Sequence, residues 1–323
     1  MTISLIFTVK NEADALPRLL DSIAAQTRPP DEIVVVDGGS TDATLVVLND
    51  RAKNLPMKII ARPGANISQG RNAAIRAARG DIICSTDAGV RLGPAWIEEL
   101  TRPFAISYSP SADIVSGFFV PDPQSVFENA LAATTLPVLA DINPEKFLPS
   151  SRSVAFRKRA WEQADGYPEW LDFCEDLIFD FALRAAGFRF AFAPSAVAHF
   201  RPRANLCAFF KQYYQYARGD GKADLWLLRH IIRYATYLIV LPLSIGLLFA
   251  VPLLGLGILV LGFLGMFFTP YKRLASMLRD FSFSERLRAV VWVPLIRVTG
   301  DVAKMIGYPV GVVWRLQNKQ GSR

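Results

Sequence analysis

The sequence predicts a doubly wound α/β domain followed by a membrane-associated helical region. Three observations carry this. Short β-rich runs alternate with segments of helical period through the first two thirds of the chain, the pattern of a mostly parallel sheet covered on both faces. Three of the early runs carry an acid at or just past their carboxyl ends: Glu12 after the first, Asp37 at the end of the second, and Asp87, among small residues, after the run that ends near Cys84. Finally, the 38 residues from Tyr234 to Tyr271 contain neither a charge nor a histidine.

The elements follow in order. Residues 3–9 are a buried strand, and Leu16, Leu19, Leu20 and Ile23 share one face of a helix over 13–25 that Pro29-Pro30 ends. Residues 32–37 form a second strand, with a Gly38-Gly-Ser-Thr-Asp42 turn and a helix over 43–52. Asp42 fits a helix cap better than a ligand. A strand over 57–61, a helix over 68–78 and a strand ending near Cys84 complete the first half. Asp87 lies just beyond that strand, at the carboxyl edge where open α/β sheets meet their ligands. The second part supplies a helix over 94–104, a strand over 113–120, a helix over 125–140, an extended stretch over 151–157, and a helix opening at Glu175-Asp176. It ends in short strands leading to His199 and an aromatic-rich helix over 206–217. The predicted division is a catalytic domain over 1–224 and a membrane-associated region over 225–323.

That region begins with the uncharged run, placed at about 234–271. One crossing takes about 20 apolar residues, so the run suits two short helices with a turn near Pro252, Gly255 and Gly257. The rival reading is a buried hairpin in a soluble core. Arg229 and Arg233 precede the run, and Lys272, Arg273 and Arg279 follow it. The positive-inside rule puts both ends in the cytoplasm, so the run crosses twice or re-enters. Tyr234, Tyr237 and Tyr271 suit the interfacial belt. Over about 285–315, Arg297, Asp301 and Lys304 share one face among apolar residues, as expected of amphipathic helices lying in the interface, with Pro294 and Pro309 breaking them into pieces. A third span with three charges is the costlier reading.

Composition narrows the partners. Hydrophobic residues make up 51% of 323 and the formal charge is +7; mean hydropathy is +0.25 and the isoelectric point near 9.4. A basic balance suits a membrane surface or a phosphorylated ligand. No basic run interleaved with aromatics marks a nucleic-acid groove, so no nucleic-acid partner is expected. The three cysteines are widely spaced and sit in apolar contexts, as expected of reduced thiols with no metal or redox motif. The first residues form a strand and lack the basic region and cleavage site of a secretory signal.

Several blocks stand in a recognisable order: Thr8-Val-Lys-Asn-Glu12, Ile33-Val-Val-Val-Asp-Gly-Gly-Ser-Thr-Asp42, Gly70-Arg-Asn-Ala-Ala74, Thr86-Asp-Ala-Gly89, Glu175-Asp176 and Gln215-x-x-Arg218. Over roughly residues 3–220 the chain resembles the family 2 glycosyltransferases of the GT-A fold. The resemblance implies a nucleotide-diphospho-sugar donor and inverting single displacement. It also implies a GT-A type doubly wound mixed sheet.

Glu12 and Asp37 match positions that hold the donor nucleoside, although Asp37-Gly38 is equally a turn pair. Arg71, near the start of its helix, has the forked donors to meet a phosphate or is a solvated surface arginine. Asp87 matches the first acid of the family's Asp-x-Asp motif, which holds a divalent cation, Mg²⁺ or Mn²⁺. Gly89 replaces the second acid, so one hard-oxygen ligand is missing. His199 resembles a metal-ligating position or is structural. Asp176 is the candidate general base at the start of a helix, with Asp180 and Arg184 expected to pair one turn on. Arg218 follows the Gln-x-x-Arg-Trp pattern, but Gly219 stands where the family has Trp, which removes the residue linked to processive synthesis.

The reading is a glycosyltransferase on the cytoplasmic face of the inner membrane, acting on a lipid-linked or membrane-proximal acceptor. The alternative is a membrane-anchored nucleotide-sugar scaffold, inactive because Gly89 breaks the metal motif.

Overall fold

The computed structural model describes residues 1–105 and 111–318, which form two compact units. One comprises Met1–Asp122 with Leu139–Phe200; the other comprises Pro123–Val138 with the chain from Arg201 onward.

The first unit is built on a mixed sheet. Its strands are β1 (Ile3–Val9), β2 (Glu32–Asp37), β3 (Met57–Ala61), β4 (Ile82–Ser85), β5 (Val90–Leu92), β6 (Ile114–Pro121), β7 (Val154–Arg157) and β8 (Phe190–Phe200). Their order is β3-β2-β1-β4-β7-β6-β8-β5. The four strands β3-β2-β1-β4 run parallel. β7 is antiparallel to β4 and β6, β8 is parallel to β6, and β5 is antiparallel to β8. β1 and β2 bury both faces: Leu5, Phe7, Ile33 and Val35 join one apolar layer, and Ile6, Val34 and Val36 join the other. Continuous apolar runs are what a sheet covered on both sides requires.

Helices α1 (Leu16–Ala24), α2 (Thr44–Arg51) and α3 (Ile67–Ala77) follow the parallel strands β1, β2 and β3, and α4 (Trp96–Thr101) follows β5. The predicted helix over 68–78 starts one residue early because Asn66 and Gln69 close a capping box. β5 has no counterpart in the prediction. Its three residues are too few to show a strand period, and it exists through its pairing with β8.

The second unit is helical. It contains α5 (Val126–Thr135), α8 (Leu206–Lys222), α9 (Leu227–Ala235), α10 (Leu241–Ala250), α11 (Pro252–Met277) and α12 (Phe283–Asn318); α6 (Lys158–Gln163) and α7 (Glu175–Ala185) belong to the first unit. The compact unit therefore takes in α5 and α8, which the sequence division at 224 assigns to the catalytic domain. Gly307 and Gly311 of α12 explain the close approach of α8. A Cβ at either would run into the carbonyl oxygen of Tyr214 or Arg218.

Among the described residues two helices are long and apolar enough to cross a membrane, Leu227–Ala250 and Pro252–Met277, and only 6% and 11% of their most apolar windows are buried. Their apolar side chains face outward instead of filling a core of this chain.

α12 corrects the expectation of broken pieces: it is one 36-residue helix with both prolines inside it. A proline removes the hydrogen bond to the carbonyl four residues back. Here those carbonyls find other donors. Tyr271 Oη donates to Val290 O at 3.2 Å, four residues before Pro294. Tyr234 Oη donates to Met305 O at 2.5 Å, four residues before Pro309. The tyrosines expected in an interfacial belt thus repair the proline gaps. The outward face of α12 is an apolar stripe that includes Val291, Leu295, Val298, Val302 and Ile306, while Asp301 is 7% exposed.

Candidate active site

Two loops leave the carboxyl ends of β1 and β2 side by side, because those strands pair in register from Ser4 with Glu32 to Val9 with Asp37. Side chains lace them together. Asn11 N donates to Ser40 Oγ at 2.9 Å, Glu12 N to Thr44 Oγ1 at 2.9 Å, and Ala13 N to Asp42 Oδ2 at 3.2 Å. In return Thr41 N donates to Asn11 Oδ1 at 2.8 Å. Asn11 has φ 58°, a left-handed conformation that asparagine tolerates better than most residues. Asp42 also accepts from Thr44 N at 3.0 Å, and its hydrogen bond from the Thr44 hydroxyl holds its carboxyl below the usual range. It therefore braces the loops as well as the start of α2.

Asp37 is 2% exposed and holds the turn that follows it. It accepts from Gly39 N at 3.1 Å and from Ser40 Oγ at 2.5 Å. The turn role considered for Asp37 is thus present in the fold. Glu12 is half-buried beside it on the same laced rim.

The centre of the site is Arg71. It is 2% exposed rather than solvated, and its fork joins two acids far apart in sequence. Nη2 donates to Asp87 Oδ1 at 2.9 Å, and Nη1 donates to Glu175 Oε1 at 2.6 Å. Its guanidinium lies 5.5 Å from the Tyr167 ring centroid. The neighbouring Asn72 anchors this helix: Nδ2 donates to Tyr167 O at 2.8 Å, and Oδ1 accepts from Trp161 Nε1 at 3.0 Å.

Asp87 meets a second arginine that the sequence reasoning missed. Arg152 Nε lies 3.6 Å from Asp87 Oδ2, and the guanidinium is 4.2 Å from the Phe200 ring centroid. Its loop is pinned to the strand end by Thr86 Oγ1, which donates to Arg152 O at 3.0 Å. The available signal was a lone cation among Ser150, Ser151 and Ser153, immediately before a strand.

α7 opens from Cys174, whose φ of 65° is left-handed, a strained entry of the kind that collects at functional sites. The helix presents three acids. Burial pushes Glu175 up to about 7; Arg71 opposes that and Asp176 adds to it. Asp176 is half-buried, and burial raises its carboxyl too, against the pull of Arg71. Asp180 is 3% exposed, and burial with repulsion from Asp176 raises it well above the usual carboxylate range. The expected Asp180–Arg184 pair is absent among the described residues. Asp180 Oδ2 has no hydrogen-bond partner, and Arg184 lies 5.2 Å from the Phe190 ring centroid.

The fold thus gathers Asp87, Arg71, Glu175 and Asp176. It places His199 on β8, paired with Arg91 of β5, where burial and the charges of Arg91 and Arg18 lower it. His199 and Phe200 are consecutive on the strand, so they point to opposite faces, and it is Phe200 that lies against Arg152. Arg218 lies on α8, in the second unit.

The residues fit a divalent cation that brings most of its ligands with it. Asp87 offers one carboxylate with a side chain 32% exposed, and a Cβ at Gly89 would meet nothing within 4 Å. Among the described residues no group of three metal-ligating side chains occurs. One carboxylate supplemented by substrate phosphates and waters is a usual setting for Mg²⁺.

Comparison with known proteins defines the class and then the family. The fold is that of the GT-A glycosyltransferases. A mannosyltransferase from Pyrobaculum calidifontis, solved with GDP-mannose and Mn²⁺, superposes with a TM-score of 0.54 at 18% identity, covering 98% of this chain and 87% of that one. The sequence profile of glycosyl transferase family 2 matches residues 4–160, a little under half of the chain, and that segment belongs to the family. An O-antigen chain rhamnosyltransferase of Salmonella typhimurium is 26% identical over 65% of this chain and 71% of its own length. A poly(ribitol-phosphate) beta-glucosyltransferase of Bacillus spizizenii is 34% identical over 36% of this chain and only 19% of its own.

Proposed function

We propose that the enzyme transfers one sugar from a nucleotide-diphospho-sugar to a hydroxyl on a lipid-linked or membrane-proximal acceptor, with inversion. The observation that carries this reading is the Arg71 clasp. It fixes Asp87, at the strand end where a donor diphosphate would lie, to the start of the helix that bears Asp176.

In this reading Asp176 accepts the proton of the acceptor hydroxyl as that oxygen attacks the anomeric carbon. The bond from the anomeric carbon to the diphosphate oxygen breaks, and its electron pair leaves with the diphosphate. A raised carboxyl suits a base that must work near neutral pH. Arg152 is the more accessible cation of the cluster, with its side chain 20% exposed against 3% for Arg71, and is assigned to the donor phosphates. Arg71 is assigned to positioning, since both arms of its fork are engaged by acids. Asp87 would hold the divalent cation, which would supply neutralising charge at the leaving diphosphate; a protein of the same fold solved with Mn²⁺ supports that assignment. Glu12 and Asp37 are assigned to the nucleoside side of the rim.

The catalytic domain is assigned to residues 1–224 and the cytoplasmic face of the inner membrane, with the two apolar helices as its anchor and basic residues flanking them. Donor turnover tests the reading. A panel of UDP, GDP, dTDP and CMP sugars, with and without EDTA, should reveal one donor consumed by the wild-type enzyme. Asp176→Asn and Asp87→Asn should each lose turnover. Wild-type rates in both variants would remove the catalytic assignment.

A further inference from the structure

The helical unit contains a second charged site. A cavity of about 110 Å³ is lined by residues of α5, α8 and α12, including Thr135, Tyr213, Arg297, Gly300, Asp301 and Lys304. The space has room for several waters or a compact oxyanion.

Its charge is unbalanced. Asp301 accepts from Arg233 Nε at 2.8 Å and from Tyr237 Oη at 3.1 Å, so Arg233 already neutralises it. Two further cations remain. Arg297 Nε lies 3.2 Å from Asp301 Oδ2 but is a buried donor with no hydrogen-bond partner. Lys304 Nζ sits 4.7 Å from the Tyr213 ring centroid, and among the described residues its ammonium forms no hydrogen bond or ion pair. Burial pushes Lys304 down to about 8, with Arg233 and Arg297 repelling it and Asp301 and Asp220 acting in the opposite sense. Asp220 itself pairs with His230 at 3.2 Å. The Arg297 side chain is 40% exposed, so the cavity can be reached from outside.

Its depth is set by its partners. Arg233 and Tyr237 stand at the beginning of the uncharged apolar run, the level at which lipid headgroups meet protein. A half-buried ammonium that makes no hydrogen bond among the described residues, and an arginine with a spare buried donor, match the acceptor oxygens of a phosphate.

We infer that this cavity binds a phosphate oxyanion, supplied by a phospholipid headgroup or by free phosphate, with Lys304 and Arg297 as its donors. The inference does not depend on glycosyl transfer. Its lipid arm rests on the membrane reading above; its free-phosphate arm does not.

The test uses the full chain in a maltoside detergent, with thermal unfolding followed during titration. Three probes are compared at matched ionic strength: phosphatidic acid, diacylglycerol with the same chains, and inorganic phosphate. Phosphatidic acid should raise the melting temperature while diacylglycerol does not, and Lys304→Gln and Arg297→Gln should weaken the half-saturation about tenfold or more, the loss of one charge-assisted hydrogen bond. A response to inorganic phosphate at the same concentrations supports the site with a soluble ligand. No response to either phosphate probe overturns the inference, as does an equal response in both variants. Should the variants fail to fold, acetylation of Lys304 in the wild-type chain decides, read by peptide mass spectrometry. Protection by phosphatidic acid or phosphate is expected, and unchanged labelling with both refutes the site.

Discussion

The two units solve the same electrostatic problem with opposite signs. In the sheet unit one buried cation, Arg71, is held between Asp87 and Glu175, and acids are in surplus. In the helical unit one buried acid, Asp301, is held between Arg233 and Arg297, and cations are in surplus. A buried charge is tolerated only when paired and hydrogen-bonded, so each central residue is fixed by its partners. The surplus then decides what each site can accept. Acids suit a proton to be removed or a metal to be held. Cations in excess of their acid suit a phosphate.

The comparison can be broken in order of effect. Asp176→Asn should lower donor turnover by about 10²–10⁴-fold, the usual contribution of a positioned base, while leaving phosphate binding by the helical unit intact; loss of both would mean that the two sites are not separable. Arg71→Met and Asp301→Asn each strand partners of like charge that are only partly buried, and each should destabilise the protein by about 1–3 kcal/mol in denaturant unfolding. An unperturbed midpoint in either would show that its central charge is dispensable.

A pH series sharpens the contrast. Glu175 has a folded value of about 7 against an ordinary 4.5, so the folded state holds its proton more tightly. That contribution is fully present below about pH 4.5 and is lost as pH rises through 7. Stability should fall across this window, and Glu175→Gln should flatten the slope; an unchanged slope assigns the titration elsewhere. Smaller still is Tyr234→Phe, which leaves the Met305 carbonyl without its donor and should cost about 1 kcal/mol in thermal unfolding. The smallest change is expected from His199→Ala. Its side chain lies on the strand face away from Arg152, so the Mn²⁺ concentration for half-maximal turnover should stay as in the wild type. A large increase would return His199 to the cation.

The sequence carried the parallel core because β1 and β2 need apolar residues on both faces, and it carried Asp37 and Asp87 because strand ends are readable from where those runs stop. It did not carry Arg152, whose importance comes from a loop pinned by Thr86, 66 residues away. Arg71 was placed on the correct helix but left open between phosphate and solvent, since only the fold brings Glu175 to it. Asp180 and Arg184 show the limit of spacing rules: four residues apart on one helix, they are drawn separately into the interior and onto the Phe190 ring. Pro294 and Pro309 misled for a similar reason. Local chemistry marks a proline as a break, and the donor that repairs it sits in another helix.

That repair fixes an order of events during synthesis. Tyr271 and Tyr234 leave the ribosome before Val290 and Met305, the residues whose carbonyls they satisfy. The apolar pair is therefore made first and waits with two unmet hydroxyls. α12 can close its two gaps only by assembling onto elements already in place, so it acts as the latch of the helical unit.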